Sequence, residues 1–173
     1  MRFQWNDECQ VAFDRLKAAL TPSPILAMLT DGDVYVLDTD ASKQSIGAVL
    51  SQKQEGKEKI IAYASRAYSR AEQNYCTTRK ELLAVVSFMT QFRQYLLGNC
   101  FFVRTDHAAL TWLQRATDLM GQQGRWQERI QEFDFAIEHR PGRKHGNADA
   151  LSRRPCGRPE RCRTTIVIIR PEV

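Results

Sequence analysis

The hydrophobic period of this chain switches from two to about 3.6 partway along, and that switch restricts the fold more than any other feature. Val34 to Thr39, Ser45 to Gln52 and Lys59 to Ser65 are β-rich runs; Asp40 to Gln44 links the first two, and Gly56 lies in the turn between the last two. Links this short suit antiparallel neighbours, so the three runs predict a meander. From Thr77 to Leu96 the apolar residues Leu82, Val85, Val86, Met89, Phe92 and Leu96 instead follow helical spacing, and Gly98-Asn99 supplies a stop. A long helix with one apolar face after a meander must cover a sheet.

The remainder fits that plan. Residues 6 to 20 place Ala12, Phe13, Leu16, Ala19 and Leu20 on one helical face behind an Asn6 N-cap, which reads as a docking helix; Thr21-Pro22-Ser23-Pro24 ends it. Cys100 to Thr105 reads as a short strand, His107 to Arg115 and Gly124 to Phe133 as helices, Phe135 to His139 as a last strand, and Ala148 to Arg153 as a closing helix after the Pro141-Gly142 loop. The order βββ, α, β, α, α, β, α describes an α/β mixed sheet with helices on its faces. Phe88, Phe92, Trp112, Trp126 and Phe133 sit at helical spacing and read as core rather than as base-stacking platforms.

At 173 residues with 43% apolar content, the chain can build one core but not two ordinary domains. There is no apolar stretch of the roughly 18 residues that a membrane span needs, and Met1 to Trp5 lacks the layout of a signal peptide. A soluble, intracellular, cytoplasmic protein is expected. Its five scattered cysteines include no CxxC pair, so no disulfide framework or zinc site is suggested, and Cys156 and Cys162 have no partner set. Net charge is +5, yet residues 140 to 173 alone hold nine Lys/Arg against three acids. Basic groups beside an acid-lined site suit a polyanion, although residues 153 to 170 also read as a solvated tail. Within it, Ile166 to Ile169 reads as a strand or an aggregation-prone stub.

Asp40, Glu81, Asp106 and Asp149 each stand where an element begins or stops, so a fold can gather them, and gathered carboxylates favour divalent cations. Each also has a local reading. Asp40 suits a turn, and Asp38 competes for its role. Thr78-x-x-Glu81 has the form of a capping box, Asp106 suits an N-cap, and Asp149 suits an exposed helix.

Thr39-Asp40-Ala41-Ser42, Gly47-Ala48-Val49-Leu50, Arg79-Lys80-Glu81-Leu82, Thr105-Asp106-His107, His139-Arg140-Pro141-Gly142 and Asn147 to Arg153 occur in this order. Together they resemble the ribonuclease H domain of long-terminal-repeat retroelement reverse transcriptases, most closely the Ty3/gypsy group. The resemblance implies a ribonuclease H-like fold with a five-stranded mixed sheet and helices on both faces. It divides the chain into a connecting helix (1–28) from the polymerase region, a ribonuclease H domain (29–154) and a basic tail or linker (155–173). It also implies two Mg²⁺, with Mn²⁺ as a substitute, held by Asp40, Glu81, Asp106 and Asp149. The expected reaction is hydrolysis of the RNA strand of an RNA/DNA hybrid, leaving a 3′-hydroxyl and a 5′-phosphate.

The wider family carries a mobile histidine ten residues before the last acid, an offset that His139 matches; His145 in the following loop competes for that role. Many Ty3/gypsy relatives have tyrosine there, so this chain departs toward the cellular and retroviral pattern. Hybrid recognition falls to short polar and basic groups near the acids: Ala41 and Ser42 with their main-chain amides, Asn74, Thr78 and Arg79 for the minor groove, and Lys43, Arg66, Lys80 and Arg143 for phosphates. His107 is a further substrate contact. Two rival readings stand beside this one, a silent ribonuclease H-fold interaction module and an integrase- or transposase-like nuclease. The expected partners are the hybrid and the polymerase and connection domains of the same polyprotein.

Overall fold

The computed structural model of the chain describes residues 4–20, 26–30, 32–107, 121–141 and 146–153. The three β-rich runs form β1 (Tyr35–Ala41), β2 (Ser45–Gln54) and β3 (Lys57–Ala67), paired antiparallel as the short links require. The β2–β3 hairpin is tighter than expected: Glu55 and Gly56 both take positive φ, 52° and 75°, so pairing runs to Gln54 and Lys57. Two left-handed residues in succession give a turn whose twist matches that of the strands. A bulge after Leu50 leaves Ile61 between the pairs Leu50–Ala62 and Ser51–Ile60.

β4 (Phe101–Thr105) and β5 (Phe135–His139) add in parallel on the other side of β1, giving the order β3-β2-β1-β4-β5. β1 is therefore central, and six of its seven residues are buried. The helix α3 (Thr77–Gln91) covers one face, where Tyr35, Leu37, Ile46, Ala48 and Leu50 meet Leu82, Val85, Val86, Phe88, Met89 and Phe92. On the other face lies α6 (Gly146–Ser152), packed on β1, β2 and β3. Both faces are thus clad, and burying each large apolar side chain contributes roughly 1.5–3 kcal/mol.

Several boundaries differ from the sequence expectation. The helix expected to run to Leu96 stops at Gln91, where Phe92 (φ −92°, ψ 16°) breaks it, and α4 (Arg93–Leu96) follows. Phe92 and Leu96 are both buried, so the apolar period runs straight through the break. A short helix α2 (Arg70–Gln73) was not foreseen. α5 spans Gln122–Ile130, with Phe133 buried just beyond it, and α6 starts before Ala148. The expected helix from His107 to Arg115 lies outside the described residues beyond His107 itself, as do Trp112 and Ile166 to Ile169.

The N-terminal helix α1 (Asp7–Leu20) begins as expected, with Asn6 Oδ1 accepting from the Cys9 N–H at 2.9 Å. Its apolar face is not covered, since Phe13 is 48% and Leu16 66% exposed. Residues 26–30 then fasten to the sheet. Ala27 N–H donates to Ile60 O, Gln52 brackets the Thr30 backbone, and Gln54 donates to Met28 O at 2.6 Å. Among the described residues no helix is long and apolar enough to cross a membrane.

Candidate active site

Parallel alignment of β1 and β4 brings their C-terminal ends side by side, and each end carries an acid. Asp40 is the penultimate residue of β1, and Asp106 immediately follows β4. Glu81, in the second turn of α3, projects toward both, and oxygens of the three carboxylates lie within 4.8 Å of one another. Asp40 and Glu81 are 6% and 4% exposed, while Asp106 is open to solvent. Asp149 lines the same cleft from α6 but is not in that group; its Oδ1 accepts from Arg153 Nε at 2.6 Å.

Glu81 shows the strain of this gathering. Burial, then the charges of Asp40 and Asp106, push its carboxyl up to about 8, opposed only by the Ala41 N–H that donates to it. Among the described residues its Oε2 is buried with no hydrogen-bond partner. A buried, unpartnered carboxylate oxygen facing two further carboxylates fits a hard divalent cation, which offsets the repulsion and takes oxygen ligands. The capping-box expectation for Glu81 is corrected. Cys76 is the N-cap of α3 and makes no side-chain cap bond, whereas the capping box belongs to Ser69 and Glu72 on α2. Thr78 and Ser69 have the same Ser/Thr-x-x-Glu pattern, but Ser69 stands at the N-cap of its helix whereas Thr78 is already the second residue of α3.

The cleft also receives Ala41, Ser42, Lys43, Lys80 and His107, all expected near a substrate. Two of these act differently from expectation. The Ser42 hydroxyl donates to Ser152 O at 2.6 Å, its N–H donates to Ser45 O, and the Ala41 N–H serves Glu81, so these amides are committed inside the protein. Thr78 Oγ1 pairs with His107 Nε2 at 3.1 Å. Lys80 lies over the Tyr68 ring, with Nζ 5.1 Å from its centre, and reaches Lys43 O.

Arg79 and Asn74 are not brought to the cleft. Arg79 stacks on Tyr75 and donates to Gln122 of α5, while Asn74 caps α2 and donates to Arg70 O. Arg66 is engaged by Glu72 in a two-pronged ion pair. His139 sits at the edge of the site, its Nε2 3.1 Å from the Asp106 carbonyl. Arg143 and His145 lie outside the described residues.

Sequence reasoning missed Ser152, whose hydroxyl donates to Asp40 Oδ2, and the cleft residues Gln44, Thr77 and Arg153. It also missed the partners of Asp38, the rival for Asp40: Asp38 is 1% exposed and bound by Arg140 and Asn147 rather than facing the cleft. A signal existed in the alternation of β1, which puts Asp38 and Asp40 on one face but only the second at the strand end.

A five-stranded mixed sheet in this order, helix-clad on both faces, is a ribonuclease H-like fold. Two solved structures share it: the foamy viral protease-reverse transcriptase in complex with an RNA/DNA hybrid (TM-score 0.59, 18% identity, 79% of this chain and 19% of that one) and RNase H1 from the halophilic archaeon Halobacterium salinarum (TM-score 0.51, 21% identity, 69% and 92%). At those identities the likeness speaks for the fold alone.

The family described as the RNase H-like domain found in reverse transcriptase matches residues 31–133, and this chain belongs to it. It is 40% identical over 151 residues to the retrovirus-related Pol polyprotein from transposon 412 of Drosophila melanogaster, covering 87% of this chain. It is 35% identical over 160 residues to the transposon Tf2-3 polyprotein of Schizosaccharomyces pombe, covering 88%. These relatives are polyproteins of Ty3/gypsy-type retrotransposons, and the chain spans 12% of the length of each.

Proposed function

We propose that this domain hydrolyses the RNA strand of RNA/DNA hybrids during retroelement reverse transcription, leaving a 3′-hydroxyl and a 5′-phosphate. The observation that carries the reading is the convergence of Asp40, Glu81 and Asp106 within 4.8 Å. These three, with Asp149 across the cleft, are the residues that would hold Mg²⁺ or Mn²⁺. When bound, such ions acidify a water and neutralise the charge that builds at phosphorus.

The chain's own groups do the rest. The Ser152 hydroxyl orients Asp40 by donating to Oδ2, and the Ala41 N–H orients Glu81. Lys43, Lys80 and Arg153 border the acids and offer cations to the phosphates on either side of the scissile one. Contacts of this kind hold a backbone without reading bases, so cleavage is expected to be largely independent of sequence. Because a carbonyl only accepts, the His139 Nε2 facing Asp106 O carries the hydrogen, and Nδ1 is then the ring nitrogen that can exchange a proton. The polymerase and connection domains of the polyprotein are the proposed partners, with the exposed face of α1 available to them.

The test is incubation of the chain with labelled RNA/DNA hybrid, duplex DNA and duplex RNA, with Mg²⁺, Mn²⁺ or EDTA. Metal-dependent loss of RNA from the hybrid alone is expected, and Asp40→Asn should abolish it while hybrid binding persists. An intact hybrid in every tube overturns the reading in favour of a silent module; cleavage of duplex DNA favours an integrase-like nuclease.

A further inference from the structure

Residues two apart on a strand face the same side of the sheet, and on β1 two acids do so, Asp38 and Asp40. Asp38 is the more deeply buried, at 1% exposure, yet it lies outside the cleft and outside the acidic triad. A carboxylate so far from water is costly unless charged or hydrogen-bonding groups surround it. Arg140 Nη1 donates to Oδ1 at 3.1 Å, Asn147 Nδ2 donates to Oδ2 at 3.1 Å, and Arg104 stands opposite in the β1–β4 register.

The origin of these donors matters. Arg140 directly follows β5 and Asn147 is the second residue of α6, so both ends of the connection that delivers α6 are tied to one carboxylate on the central strand. At the other end of α6, the Ser152 hydroxyl donates to Asp40. The helix is therefore indexed on β1 at two points, one per acid, and Asp149 lies between them.

We infer that Asp38 is a positioning residue. Through Asn147 and Arg140 it sets where α6 carries Asp149 relative to Asp40, and so the rate of the chemical step; this rests on the nuclease reading above. Asp38 touches neither substrate nor the reacting atoms. Its bonds to Arg140 and Asn147 give a reason for an arginine after His139 and for an asparagine in the first turn of the helix that holds the last acid. Partners that orient a ligating carboxylate from behind commonly change activity by about 10–100-fold when removed.

The experiment uses the whole chain and the variants Asn147→Asp, Asp38→Ala and Asp38→Asn. Asn147→Asp keeps the acceptor that serves the Ala148 N–H but puts a carboxylate where the donor to Asp38 stood, turning that bond into a repulsion, at an exposed position where folding should survive. On RNA/DNA hybrid with Mg²⁺ it should lower kcat by about tenfold with KM nearly unchanged, and lower nothing further in an Asp149→Asn background. Asp38→Asn, which keeps an acceptor for Arg140, should retain more kcat than Asp38→Ala. Full kcat in Asn147→Asp, or a loss that multiplies with that of Asp149→Asn, overturns the inference. Amide hydrogen exchange of residues 148 to 152 gives a readout independent of activity. Faster exchange in Asn147→Asp supports the indexing even if the parent chain proves inert on hybrid, and unchanged exchange overturns it.

Discussion

At the scale of single residues, Glu81 concentrates the conflict between stability and function. Its carboxyl, pushed up to about 8 in the folded protein, titrates near 4.5 when unfolded. Below that lower value both states are protonated and nothing is lost. Between the two values the folded state holds a proton that the unfolded state has released, so stability falls as pH rises and levels off above the folded value. In EDTA, Glu81→Gln should therefore raise stability by about 1–3 kcal/mol at alkaline pH and hardly at all at acid pH, as thermal melts at the two pH values would show. Mg²⁺ should reverse the order by stabilising the parent chain and not the variant. A variant no more stable than the parent at alkaline pH would mean that Glu81 is not held against its like-charged neighbours. Asp40, Asp106 and Glu81 were legible as chemistry because they stand in motifs that, in this order, resemble a ribonuclease H domain; acids near element ends are by themselves common as caps and turn residues. The role of Thr78-x-x-Glu81 was not legible, because a local pattern cannot show which chain segment approaches from far away.

Elements are held in register by small residues as much as by apolar faces. Gly47 on β2 faces α6 so closely that a Cβ there would stand 2.5 Å from Ser152 N and 2.7 Å from Ala148 O. Ser42 and Ser45 donate their hydroxyls to Ser152 O, and Ser65 donates to Leu151 O, satisfying carbonyls at the end of that helix. Gly47→Ala should destabilise the domain by roughly 1–3 kcal/mol in urea unfolding and depress cleavage, because the obstacle is backbone that cannot step aside. Gly56→Ala is a useful contrast. Nothing lies within 4 Å of that position, but its φ of 75° should cost about 1–2 kcal/mol without affecting cleavage. Equal activity losses in the two variants would refute the close docking of α6. The existence of α6 was readable from composition, but its landing place was not, since a glycine in a strand looks the same whether or not a helix passes over it.

For the molecule as a whole, the uneven cladding separates what folds it from what remains for partners. Phe88 is fully buried against its neighbours between α3 and the sheet, and Phe88→Ala should cost about 3–5 kcal/mol by denaturant unfolding. The double change Phe13→Ser with Leu16→Ser, on the exposed face of α1, should alter stability by no more than about 0.5 kcal/mol. A large loss in the second case would show that α1 belongs to the core. Charge is uneven too: residues 154 to 173 carry five arginines against two acids. Removing that segment should flatten the salt dependence of hybrid binding, measured as log Kd against log salt, because fewer counterions are released.

The sequence by itself determined the order of the five strands, the long helix after the meander and the chemical identity of the acids, but not the short α2. Hydrophobic period is a local property, and oxygen-rich side chains announce their preferred ligands wherever they stand. The tertiary structure alone decided which acids converge, which hydroxyls and amides are already engaged, and that α3 breaks at Phe92. The convergence and the bonds depend on β1 lying between β2 and β4, which brings Asp40 to Ser152 and Asp38 to Asn147 across more than a hundred residues of chain. Distance through space follows from sheet order, and no local pattern encodes it.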